Sequence, residues 1–194
     1  MVAEAKLTDE RITIDEYMWV SEYLEEIGFP VELEEGRLIK RVSTKAWHSE
    51  ITNTIIAFLK MHLITNGLPG IVTGETTGYQ AADDDCPEPD AAYCAVLDTA
   101  PDTPCIPEPP ALVVEVVSDP RNRRELDRLE NKRRKYLAMG ATVWEVWAQD
   151  RLTRIYVPGL DQPEIERKTL TFDGLPGLVI PLEIVFAKLE QHKS

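Results

Sequence analysis

Cysteine is scarce in this 194-residue sequence, and its three copies, Cys86, Cys94 and Cys105, follow no regular spacing. Neither a disulfide framework nor a zinc ligand set is supported, so isolated free thiols are expected. Long apolar runs are missing as well; none approaches the roughly 20 residues that carry a helix across a bilayer. The opening Met-Val-Ala-Glu-Ala-Lys lacks the basic-then-apolar layout of a secretory signal, so the expectation is a cytoplasmic protein with no membrane partner. Internal repeats and low-complexity segments are lacking too. Basic charge is in deficit: 21 Lys and Arg stand against 34 Asp and Glu, a net charge of −13. Such a surface repels phosphate backbones at long range and disfavours generic tight DNA binding.

The deficit is uneven. Residues 121–135 hold eight basic side chains against three acidic ones, a local +5 that leaves about −18 on the rest by the same counting. With 43% hydrophobic and 28% charged residues the composition is that of a globular protein, and the length suits one domain over 1–194. Its parts divide as an N-terminal accessory helix and hairpin (1–43), a core (44–160) and a C-terminal extension (161–194). Thr13 and Glu16 have capping-box spacing ahead of a short helix that stops near Gly28. Residues 31–34 and 37–42 flank a Glu35-Gly36 turn as a hairpin, an accessory layer rather than a chemical one. Residues 44–65 carry apolar side chains at helical spacing, with Asn66-Gly67 as the stop. Strands are expected at 71–81, with Glu75 inside, and at 91–97, with Asp90 at the start. Asp83, Asp84 and Asp85 read as a solvated turn, and proline-rich 98–110 as a surface loop.

Residues 111–118, Ala-Leu-Val-Val-Glu-Val-Val-Ser, have the composition of a strand buried on both faces, with Glu115 in its middle. A lone buried carboxylate needs a proton, a cation or a metal. The basic helix, residues 122–139, follows; Lys132 lies at the edge of its apolar stripe, where the ammonium can reach a sheet edge, and Arg133 falls unexplained within the stripe. Further strands are expected at 142–148 and 153–157. The order helix, three strands, helix, strand describes an α/β fold. It sets Glu75, Asp90 and Glu115 at comparable positions on successive strands. Three converging carboxylates suit Mg2+ or Mn2+, which take hard oxygen ligands, and Lys132 supplies a cation for phosphodiester hydrolysis. A buried structural network, Glu115 paired with Lys132 or His48, explains the same residues.

Several stretches together resemble the Uma-type restriction endonuclease family, a branch of the PD-(D/E)XK nuclease superfamily. They are Glu35-Gly36, His48, Gly74-Glu75, Pro89-Asp90, residues 112–120 around Glu115, Lys132-xxx-Tyr136-xxx-Gly140, residues 175–178 and residues 184–186. The resemblance implies a restriction-endonuclease-like core with a mixed central sheet and a nuclease activity directed most of all at DNA, with RNA possible. It implies Asp90 and Glu115 as metal ligands for Mg2+ or Mn2+, and a homodimer. The superfamily lysine two residues after Glu115 is here Val117, so Lys132 inherits its catalytic role; His48, Glu75 and Tyr136 complete the site. An aspartate expected after the 142–147 strand is here Ala148. Arg121, Arg123, Arg124 and Arg128 are the candidates for phosphate contacts. Two other readings stay open: a non-catalytic member of the fold that works by protein association, and a phosphodiesterase acting on RNA or a small substrate.

Overall fold

The computed structural model describes residues 11–41, 44–96, 98 and 105–190. Thr13 caps α1 (Ile14–Glu26) with the reciprocal bonds of a capping box, its hydroxyl accepting from the Glu16 amide while the Glu16 carboxylate accepts from the Thr13 amide. The hairpin β1 (Val31–Glu34) and β2 (Arg37–Lys40) follows, in antiparallel register. Then α2 (Ala46–Asn66) ends on Gly67, whose φ of +58° is the left-handed conformation that stops a helix. Next come β3 (Ile71–Gly74), β4 (Gly78–Tyr79), β5 (Ala91–Cys94), β6 (Cys105–Ile106) and β7 (Leu112–Val116). After α3 (Arg123–Ala138), capped by Asn122, the chain forms β8 (Thr142–Trp147), β9 (Leu152–Tyr156), β10 (Glu164–Glu166), β11 (Thr169–Leu170), β12 (Ile180–Pro181) and α4 (Leu182–Val185). Val42, Leu97 and residues 99–104, parts of the expected strands and loop, lie outside the described residues.

Six strands make the central sheet in the order β10-β9-β8-β7-β5-β3. Within this sheet β7 and β8 run parallel, joined by α3 as a crossover, and its other pairs are antiparallel, so the sheet is mixed. β7 is buried along its whole length, and its residues alternate between faces as the two-residue period of a strand requires. Leu112, Val114 and Val116 pack with Ile51, Ile55, Leu59 and Leu63 of α2 and with Leu178, Ile180 and Phe186 near the C-terminus. Val113 joins Tyr136 of α3 and Val143 of β8 on the other face, the face from which Tyr136 bonds Glu115. The fold is a three-layer α/β arrangement of restriction-endonuclease-like topology, α2 on one face of the sheet and α3 on the other.

Four expectations are corrected. The strand expected over 71–81 is two: β3 stops at Gly74, Glu75 stands in the turn beyond it, and Thr76 takes φ +84°. The 98–110 stretch is not all loop, because Cys105–Ile106 pairs parallel with β4. Asp85 is not solvated; it is buried, salt-bridged to Lys135 at 2.8 Å, and accepts the Glu35 amide. Most plainly, Cys86 and Cys105 are joined in a disulfide with Cα atoms 6.1 Å apart, and Cys94 is the buried free thiol. Strand pairing explains the bond. β6 sets Cys105 opposite Gly78, and a side chain at Gly78 would lie 2.3 Å from the Cys86 sulfur, so the glycine leaves room for the bridge.

Candidate functional site

Asp90 lies one residue before Ala91, which pairs with Val114 of β7, so Asp90 and Glu115 arrive at the same end of adjacent strands. The Asp90 Oδ2 accepts the Val116 amide at 2.6 Å and the His48 Nε2–H at 3.0 Å. Because β3 pairs with β5 beyond, the turn after Gly74 brings Glu75 to the same place. His48, Glu75 and Asp90 each offer one ligand atom, all within 4.8 Å of one another. Burial works to lower the His48 pKa, but its bond to Asp90 and the charges of Asp90, Glu75 and Glu115 outweigh it and raise it. The other ring nitrogen, Nδ1, is buried without a hydrogen-bond partner. Two hard carboxylates and one imidazole, whose buried Nδ1 has no hydrogen-bond partner, fit a divalent cation of the Mg2+ or Mn2+ type.

Glu115 is held separately, from the α3 side. Its Oε1 accepts the Tyr136 hydroxyl at 3.2 Å and lies 3.3 Å from the Lys132 Nζ. The ammonium also sits 3.3 Å from Glu32 Oε1 and donates to the Glu88 carbonyl. Three protein oxygens thus match its three N–H donors. Burial would lower the Lys132 pKa, yet Glu115 and Glu32 outweigh it and keep the amine charged. For Glu115 burial wins over the opposition of Lys132 and, with the Asp90 and Glu32 charges adding to it, pushes the carboxyl up to about 8. Burial, then the neighbouring Glu115 charge, raises the Tyr136 phenol far above its ordinary value.

Sequence reasoning brings Asp90, Glu115, Lys132, His48, Glu75 and Tyr136 together, and the structure places all six at one cleft of about 350 Å³ or, for Tyr136, against its Glu115 wall. Two members were missed. Glu32, on the hairpin expected to stand apart from the chemistry, accepts Arg128 at 2.6 Å and the Glu88 amide at 2.9 Å besides facing Lys132. Burial opposes its charge, but Lys132 and Arg128 overcome that and lower its pKa. Glu88 is buried too, and accepts the Tyr17 hydroxyl at 3.1 Å and an Arg41 guanidinium N–H; burial raises its pKa. The only available signal for either was a polar residue in a chain segment that a second layer covers.

The four expected phosphate contacts divide. Arg121, Arg123 and Arg124 are exposed on α3 or just before it, whereas Arg128 is held in ion pairs with Glu32 and Glu34. Arg133 is no blemish: it pairs at 2.6 Å with Glu145, fully buried on β8 in register with Glu115, and its guanidinium stacks 4.3 Å from the Tyr156 ring. Successive residues of α3 therefore deliver one cation each to the glutamates of adjacent strands.

Comparison with known proteins identifies the family and the fold. The profile of the family described as "Uma2: Putative restriction endonuclease" matches residues 19–183. Among solved structures, the crystal structure of "a putative nuclease belonging to DUF820" from Anabaena variabilis ATCC 29413 superposes with a TM-score of 0.70 at 15% identity. The match covers 92% of this chain and 99% of that one, a likeness of fold. No curated protein matches the sequence. Among the described residues, no helix is long and apolar enough to cross a membrane.

Proposed function

Because the chain belongs to the Uma2 family of restriction-endonuclease-like proteins, we propose that it is a divalent-metal-dependent nuclease that hydrolyses phosphodiester bonds in DNA. The observation that carries the reading is the meeting of Asp90, Glu75 and His48 within 4.8 Å, with Glu115 and Lys132 on the wall of the same cleft. Asp90 and Glu115 are the proposed metal ligands, and the geometry adds His48 and Glu75 as donors beside Asp90. A bound Mg2+ or Mn2+ supplies Lewis-acid stabilisation of phosphate charge and a more acidic water. The protein's part is to hold these groups. The Val116 amide fixes Asp90, Tyr136 orients Glu115, and Lys132 sets a permanent positive charge where phosphate charge grows. With its three donors engaged, Lys132 acts through its field and its grip on Glu115, and reaches water only by releasing one of those oxygens. The same reading takes the chain as one domain that works in the cytoplasm as a homodimer, with RNA the second choice of substrate.

That full set of contacts on Lys132 also favours a second reading, a non-catalytic member of the fold whose charged groups stabilise the core. Manganese titration calorimetry separates the two. On the nuclease reading, wild type binds at micromolar strength, and Asp90→Ala and Glu115→Ala each weaken binding at least tenfold. In parallel, Asp90→Ala abolishes cleavage of plasmid and oligonucleotide DNA. A folded wild type that neither binds manganese nor cuts any nucleic acid in its presence defeats the nuclease reading.

A further inference from the structure

We propose that the outer face of α1 is a docking surface for a basic amphipathic helix of a partner protein. Trp19, Tyr23 and Ile27 stand four residues apart on α1 and its C-cap, so they form one row along the helix. All three are turned to solvent, at 84%, 61% and 58% exposure, while Tyr17 on the opposite side fills the core beneath. A tryptophan this exposed is out of keeping with a helix that had every opportunity to bury it, and Trp and Tyr are the residues that anchor interfaces. Among the described residues nothing in the packing of α1 calls for them, since its inward contacts to β1 are made by Tyr17 and its partly buried neighbours Ile14 and Leu24.

The occupant follows from charge. Across Ile14–Glu26 there are five acidic residues and no basic one. By the 100° step of a helix, Glu22 and Glu26 run as an acidic row directly beside the apolar one. A second copy laid on this face would bring the same acids against these, a like-charge contact between two chains of net charge −13. A helix with leucine-type side chains on one face and lysine or arginine along its flank satisfies both rows together. Three anchors fall short of the roughly 800 Å² per partner of a standard stable interface, so the contact is of the transient, micromolar class.

The test uses the full chain and, as probe, an 18-residue helical peptide of leucine and lysine with leucine at i, i+3, i+4 and i+7 spacing, titrated by calorimetry at physiological salt. The expected result is a Kd of tens of micromolar. It weakens at least tenfold in Trp19→Ser/Tyr23→Ser and, separately, in Glu22→Lys/Glu26→Lys. These side chains point to solvent, so the variants keep the wild-type fold, and circular dichroism verifies it. Unchanged affinity in Trp19→Ser/Tyr23→Ser overturns the proposal, because charge alone then binds the peptide. So does a failure of the wild type to bind, or a wild-type dimer in sedimentation that Trp19→Ser/Tyr23→Ser splits, which would give the face to a second copy. The outcome is independent of whether the cleft cuts nucleic acid.

Discussion

At the scale of single residues the cleft is short of positive charge. Lys132 faces Glu32 and Glu115, with Asp90 close behind, and one ammonium does not neutralise two buried carboxylates and a half-buried one. Glu32 has Arg128 as well and stays ionised, so Glu115 is the group that keeps a proton, its carboxyl pushed up to about 8 by burial first and then by the Asp90 and Glu32 charges. The unfolded chain gives that proton up near the ordinary 4.5. Between these values the folded state holds the extra proton, so its stability falls as pH rises and levels off above about 8. Glu115→Gln keeps an oxygen for the Tyr136 hydroxyl but does not titrate. In a chelator-treated sample its Tm should match wild type near pH 5 and exceed it increasingly up to pH 8. Parallel Tm curves for the two proteins across that range would show that Glu115 is ionised throughout.

At the scale of elements, α3 joins the site to the rest of the fold. Lys132 reaches Glu115 on β7, Arg133 reaches Glu145 on β8, and Arg128 and Lys135 reach the β1–β2 hairpin and its turn. Glu145 has no exposure, so removing its partner strands a charge in the core. Arg133→Ala should cost about 3 kcal/mol in urea denaturation, the lower part of the range for breaking a buried pair. Adding Glu145→Gln should recover most of it, since the amide oxygen still accepts the Trp147 indole N–H. A loss no greater than that of an exposed substitution would mean that solvent reaches Glu145. The elements themselves were readable in sequence wherever one period dominated: α2 from its apolar spacing, β7 from its aliphatic run, α1 from Thr13 and Glu16. Asp90, Glu115 and Lys132 were readable because each sits beside a strong element boundary or inside a run that leaves no polar alternative. Glu32 was not. In Val-Glu-Leu-Glu it alternates with apolar residues and reads as the wet face of a hairpin; only α3 lying across that face makes it a buried partner of Lys132. The Cys86–Cys105 bond was hidden for the same reason, because a parallel pairing of two-residue strands leaves no periodic trace.

At the scale of the whole molecule, the sequence count of +5 over residues 121–135 overstates what a nucleic acid meets. Of the eight basic side chains, Arg128, Lys132, Arg133 and Lys135 turn inward and are matched by acids of other elements. Arg121, Arg123, Arg124 and Arg134 face solvent, together with Glu125, Asp127 and Glu130. The outward balance is close to +1, on a body that is otherwise strongly acidic. Such a surface gathers few phosphates, and on the proposed function any grip on DNA must come from the cleft, with a metal bound there, and from these few arginines. With at most four phosphates neutralised, the slope of log K against log salt should be no steeper than about −3.6, at about 0.9 per phosphate. Fluorescence anisotropy with a labelled duplex measures it between 50 and 200 mM salt. Arg121→Glu/Arg123→Glu/Arg124→Glu should weaken binding and flatten the slope by two to three units of the same scale. Arg128→Glu should act differently: it removes the partner of Glu32 and Glu34 and so lowers stability more than it changes the slope. A wild-type slope much steeper than −3.6 would place the nucleic acid on a basic surface that the inward-turned cations of α3 do not provide.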